Sequence, residues 1–224
     1  MSNIIMDEKG FINKYEWDAI MALWWVFWVN NNESYRACLS ALKQQESLKE
    51  LNKQWEKRWF SEIKARIWIH FWNAIIWNIW SEWRKMEFTA LWDSVNLASR
   101  LEWVNKFYWT YICVSEDIYK KEKTNFEFRY LDKIRVQWKE KAIKIYELLW
   151  IKWEVEKDIL IRKRSFEKAI KLYLARDFIL AKEIFIKLIK EGDNAGRIYL
   201  DMCEIYIKTP PSKDWDGVST MTSK

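Results

Sequence analysis

The chain has 224 residues, half of them apolar, with 38 basic and 32 acidic side chains and a net charge of +6. That length holds one domain and a smaller module. Both signs of charge are spread along the chain without a run of five, so a basic stripe for nucleic acid is not expected.

Phe11 to Ala22 reads as a hairpin turning at Glu16-Trp17. The apolar run Ala19 to Val29 is too short for a membrane span, which needs about 20 residues, and no basic n-region or cleavage pattern marks a signal peptide. Glu33 to Trp55 places Tyr35, Cys38, Leu39, Leu42, Leu48 and Leu51 at helical spacing and predicts an amphipathic helix. Ile63 to His70 alternates like a strand, Asn73 to Ile79 like its partner, and Lys85 to Leu91 like another strand. Asp93 to Phe107 is expected to be helical, capped by Asp93 or Ser94. Ile112 to Val114 is a short strand, Glu116 to Lys121 a short helix, and Phe126 to Val136 and Ala142 to Leu149 two further strands. Strands with interleaved helices on one side indicate an α+β layer.

The texture changes after Trp153. Ser165 to Ile189 repeats apolar residues every three or four positions, with a break at Arg176-Asp177. Asn194 to Ile207 is a further helix, ended by Pro210-Pro211. The expected division is 1–149 and a helical tail at 150–224. One helical pair cannot bury its own apolar face, so the tail is a candidate surface for a protein partner. Cys38, Cys113 and Cys203 lack paired spacing and are expected to be reduced, buried thiols of a cytoplasmic segment.

The chain has 18 Trp and only 4 Gly, where ordinary usage of about 7% would give roughly 16 Gly. From Arg66 to Trp103 the sequence runs RIWIHFWNAIIWNIWSEWRKMEFTALWDSVNLASRLEW, with Trp at intervals that fit neither helix nor strand. Read with Gly for Trp, it resembles the signature of the class III nucleotidyl cyclases, and the resemblance runs from about Phe11 to Leu149. It puts family glycines at Trp17, Trp25, Trp28, Trp59, Trp68, Trp72, Trp77, Trp80, Trp83, Trp92, Trp103, Trp109, Trp138, Trp150 and Trp153. Trp24, Trp55 and Trp215 read as genuine tryptophans. Such selectivity for one residue type points to a codon decoded as glycine, with UGA the candidate.

The resemblance implies a ferredoxin-like cyclase sheet with helices on one face, lacking the family's first strand and helix, followed by an all-α, tetratricopeptide-like tail. It implies conversion of ATP to cyclic AMP and pyrophosphate with Mg²⁺ or Mn²⁺, in a homodimer with sites at its interface. KYEWDAIMA matches a family motif whose Asp binds metal, here Asp18. On spacing alone Asp18 reads as a hairpin-turn residue, and it is the motif match that makes it the metal ligand. By the same match Lys14 reads the base, because its ammonium donates to adenine N1, and Thr89 accepts from the adenine amino group. A guanylate cyclase is the runner-up, and would want Glu at position 14. Without the motif, Lys14 is a solvated strand lysine. DSVNLASR assigns Asn96 to the ribose and Arg100 to the α-phosphate; their four-residue spacing suits one helix face. RVQWKEK assigns Lys139 to the β- and γ-phosphates. His70 is expected to be structural.

The family's other metal Asp lies in a first-strand motif like FADIRGFT, which these residues do not contain. Met1 is therefore expected to be internal to a longer protein with an upstream sensor or membrane segment, and the chain alone is expected to be inactive. The alternative is a non-catalytic dimerisation module.

Overall fold

The computed structural model describes residues 1–24, 32–71, 75–80, 86–91, 104–136 and 142–221, with the backbone alone at 75–80, 86–91, 136, 220 and 221. A short helix α1 (Ser2–Asp7) leads into the hairpin of β1 (Phe11–Glu16) and β2 (Ala19–Leu23). Helix α2 (Glu33–Glu56) follows, then β3 (Ile67–Ile69) and a second hairpin, β4 (Ile75–Trp80) with β5 (Met86–Leu91). A helical turn at 104–107 precedes β6 (Ile112–Ser115), α3 (Glu116–Glu122) and the long strands β7 (Phe126–Val136) and β8 (Ile143–Ile151). Helices α4 (Lys157–Leu174), α5 (Phe178–Lys190) and α6 (Arg197–Lys208) and a final strand β9 (Ser219–Met221) complete the described chain.

The principal sheet has the order β3-β6-β8-β7-β9. Strand β3 is parallel to β6, and β9 to β7, while β6, β8 and β7 pair antiparallel. The two hairpins stand as separate two-stranded sheets. This corrects two expectations. No single sheet unites residues 11 to 149 among the described residues, because no described strand joins β2 to β3. The partner of β3 is β6, not residues 73–79; β4 pairs instead with β5, the strand next to it in sequence. A hairpin between neighbouring strands needs only a short connection, whereas parallel pairing needs a crossover.

The expectation of helices on one face is also corrected. On β6, Ile112 and Val114 join a core with Ala37, Cys38, Ala41 and Leu42 of α2 and Ile118 of α3. Cys113 between them joins a different core, with Leu131, Ile134 and Ile145 of β7 and β8 and Phe166, Ala169, Phe185, Leu188 and Tyr199 of the C-terminal helices. Successive strand residues point to opposite faces, so α2 and α3 cover one face and α4, α5 and α6 the other. The physical reason is that these strands are apolar on both sides, and a bare second face would leave Leu131, Ile134 and Ile145 in water. Val104 and Tyr108, at the described end of the Asp93 to Phe107 segment, are fully buried with the C-terminal helices, not with α2. Residues 92–103 lie outside the described residues.

The tail is helical from Lys157 to Lys208, apart from its turns, but it ends in strand β9. An all-α tail is thus corrected at its end: Ser219 to Met221 extend the sheet beside Ile134 to Val136. The break foreseen at Arg176-Asp177 separates α4 from α5, and the Asp177 carboxylate caps α5 by accepting from the Leu180 N–H at 3.2 Å. Among the described residues no helix is long and apolar enough to cross a membrane.

Candidate active site

Lys14 and Asp18 belong to one hairpin. Glu16 faces Ala19 across the strands, which leaves Trp17 and Asp18 as a two-residue turn. Asp18 is exposed at that tip, and no cation of the chain pairs with it among the described residues. Lys14 is half exposed on β1 and pairs with Glu16. An exposed pair of this kind is worth about 0–1 kcal/mol, too little to withhold the ammonium from a ligand. Thr89 lies on β5, opposite Trp77 of β4. No strand pairing joins its hairpin to that of Lys14. Asn96, Arg100 and Lys139 fall outside the described residues. His70 lies just past β3 and is half-buried.

An exposed carboxylate on a tight turn is a suitable oxygen donor for Mg²⁺, which commonly takes one or two carboxylates and completes its shell with water and substrate phosphates. The three thiols offer no competing chemistry. Cys38, Cys113 and Cys203 are free and buried, and burial pushes each thiol pKa upward, away from the reactive thiolate.

Two buried polar clusters escaped the reading of the sequence. Arg129 of β7 is buried and bridges Glu147 of β8 and Asp193, which follows α5. The Phe166 ring lies 4.6 Å from its guanidinium carbon. Burial opposes the charge on Arg129, but the two carboxylates outweigh it and raise its pKa. In the second cluster, the Tyr108 hydroxyl donates to buried Asp132, and the Lys133 N–H donates to the same carboxylate at 2.6 Å. The Tyr199 hydroxyl donates to the Leu131 carbonyl at 2.8 Å. No local spacing announces groups that lie so far apart in the chain. A cavity of about 410 Å³ between α3, β7, β8 and α4, walled by Tyr119, Phe128, Tyr130 and Tyr146, contains none of the expected site residues.

Asp132 gives a pH prediction. Burial raises its pKa, against donors including Ser219 and Tyr108. The folded state therefore keeps the proton to higher pH than the unfolded chain, whose Asp titrates near 3.9. Stability from this group is complete below about pH 4 and is lost as pH rises through the folded value. Asp132→Asn is expected to remove that loss, so the difference in melting temperature between parent and variant should change across this window. A constant difference would contradict it.

Comparison with known proteins places this geometry. No family model matches the chain. It is 28% identical over 150 residues to adenylate cyclase 1 of Rhizobium meliloti (strain 1021), covering 67% of this chain and 22% of that protein. It is 30% identical to the terminal-differentiation specific adenylate cyclase of Dictyostelium discoideum, over 92% of this chain and 10% of that protein. The chain thus spans a minor part of these curated relatives. The crystal structure of the adenylyl cyclase CyaB from P. aeruginosa superposes with a TM-score of 0.58 at 21% identity, covering 69% of this chain and 79% of that one. With its β7–β8 sheet and its Lys14–Asp18 hairpin, the chain has the fold of a class III nucleotidyl cyclase domain.

Proposed function

We propose that the chain is the catalytic-domain portion of an adenylate cyclase, which converts ATP to cyclic AMP and pyrophosphate for intracellular signalling. The observation that carries this reading is that KYEWDAIMA folds as a hairpin with Asp18 exposed at its tip, in a chain similar to named adenylate cyclases.

The ribose 3′-oxygen loses its proton and attacks the α-phosphorus in line, and the bond to the pyrophosphate oxygen breaks. Such chemistry asks the protein mainly for positioning and charge stabilisation. Asp18 would hold Mg²⁺ or Mn²⁺, which supplies positive charge at the phosphates and acidifies the 3′-hydroxyl. Lys14 donates to adenine N1 and Thr89 accepts from the adenine amino group. Asn96 orients the ribose, Arg100 meets the charge that builds on the α-phosphate, and Lys139 binds the β- and γ-phosphates. In a homodimer, one chain gives Asp18 to one interface site and the other five residues to the second. Residues 1–149, with the end of β8 at Ile151, form the catalytic part. The tetratricopeptide-like tail of 150–224 packs its apolar residues on the sheet, so a protein partner would meet only its outer surface.

These residues supply one carboxylate of the metal pair, so by themselves they are expected to turn over ATP negligibly. Joined to a segment with a FADIRGFT-like motif, and with glycine at the fifteen positions, they are expected to make cyclic AMP. In that enzyme, Lys14→Glu with Thr89→Cys reverses the donor and acceptor pattern at the base. Two mismatched contacts at about 1–3 kcal/mol each should shift the ratio of ATP to GTP turnover toward GTP by about 30-fold or more. A parent enzyme that prefers GTP would overturn the role of Lys14.

A further inference from the structure

Among the described residues, five other than glycine adopt a left-handed backbone: Lys9, Trp17, Trp59, Trp109 and Arg176. Tryptophan makes up 18 of the 224 residues yet supplies three of these five. A side chain with a Cβ resists this conformation, and glycine takes it freely.

The three positions are also the ones where turn chemistry asks for glycine. Trp17, with φ 54°, is the first central residue of the two-residue turn between β1 and β2. Positive φ there and not at Asp18 is the type II′ pattern, which takes Gly at that place. Trp59, with φ 62°, follows α2. The Phe60 N–H donates to the Trp55 carbonyl at 3.2 Å, and the Trp59 N–H to the Glu56 carbonyl at 3.1 Å. Trp109, with φ 56°, follows the turn at 104–107. The Thr110 N–H donates to the Asn105 carbonyl at 2.9 Å, and the Trp109 N–H to the Lys106 carbonyl at 3.4 Å. Each pair of bonds makes a Schellman motif with Trp in the left-handed slot that glycine most often fills. Gly192 fills that slot after α5, where Asp193 and Gly192 donate to Leu188 and Ile189. Lys9 and Arg176 occupy similar slots with long polar chains.

The indoles sort the same way. Trp17 and Trp59 stand wholly in solvent, and Trp109 is 58% exposed, with the Arg197 guanidinium over its ring. Trp68 fails in the opposite sense, because its buried indole N–H finds no acceptor among the described residues, and an unmade bond costs a folded protein the group's full desolvation. By contrast, the Trp24 indole donates to the Glu8 carbonyl at 3.0 Å. Trp215 packs against Tyr173, Phe178 and Tyr206, and Trp55 meets Phe60. None of these three has positive φ.

We propose that the polypeptide made in its own cell carries glycine at positions 17, 59, 68 and 109 and tryptophan at 24, 55 and 215, one codon being decoded as glycine. The proposal rests on backbone geometry and indole contacts, and it stands independently of the catalytic reading. Glycine at 17 has a consequence for the site: it clears a solvent-facing indole from beside Asp18.

The decisive test is peptide mass spectrometry on protein purified from its source cells. Trypsin should release 15–36, 54–57, 59–64 and 107–120 as separate peptides. The expected result is Gly at 17, 59 and 109, with Trp kept at 24 and 55 in the same digest. Trp at 59 or 109 would overturn the proposal. In protein produced with glycine at the fifteen family-glycine positions except the one under test, and with Trp24, Trp55 and Trp215 kept, Trp59 or Trp109 should lower the melting midpoint relative to Gly. Trp215→Gly in the same background should lower it too, since that indole is packed. A higher midpoint with Trp59 than with Gly would remove the geometric basis.

Discussion

A polypeptide with glycine at the fifteen family-glycine positions is expected to be soluble and to unfold in one cooperative transition. The same polypeptide with tryptophan at all of them should be insoluble or molten. Typical substitutions destabilise by about 0.5–3 kcal/mol, so fifteen sum to roughly 8–45 kcal/mol before non-additivity, against the ~5–15 kcal/mol that holds a domain together. The left-handed residues Trp17, Trp59 and Trp109 alone bring about 1–2 kcal/mol each in backbone strain. Expression of both forms, with thermal melts and dye binding to exposed apolar surface, reads the difference. A soluble tryptophan form with a sharp transition would show that these indoles belong to the fold.

Removal of Arg129 should have the next largest effect. Arg129→Ala leaves Glu147 and Asp193 facing each other in a buried site. Loss of one partner from a buried ionic cluster costs about 3–5 kcal/mol, a large share of a domain's stability. The expected result is a urea midpoint lowered accordingly, with an unchanged slope. Replacing the cluster as a whole, by Arg129→Met with Glu147→Leu and Asp193→Asn, should recover most of the loss, because no buried charge is then left unpaired. If Arg129→Ala is as stable as the parent, the cluster does not fasten the C-terminal helices to β7 and β8.

Much of the local structure could be read from the residues. The hairpin turn at Trp17, the span of α2, the strands β7 and β8, and the break before α5 each follow from near neighbours: turn geometry, a repeat of three or four, alternation, and an Asp cap. The position of Asp18 at an exposed tip was legible for the same reason, because a two-residue turn has nowhere to hide a side chain. Whether Thr89 comes near Lys14 and Asp18 was not legible, since the two lie on separate hairpins that no strand pairing joins among the described residues.

Tertiary structure alone decided three matters. It chose β6 as the partner of β3, although nearer strands were available in sequence. It placed α4, α5 and α6 across the sheet from α2, because the strands carry apolar residues on both faces and each face needs a cover. It brought Arg129, Glu147 and Asp193 together from three elements. Periodicity, turn chemistry and capping act over a few residues, and so they are written in the order of the chain. Strand pairing across a crossover, the choice of face and the burial of charge depend on contacts between residues far apart, and these are settled only when the whole apolar surface is buried at once.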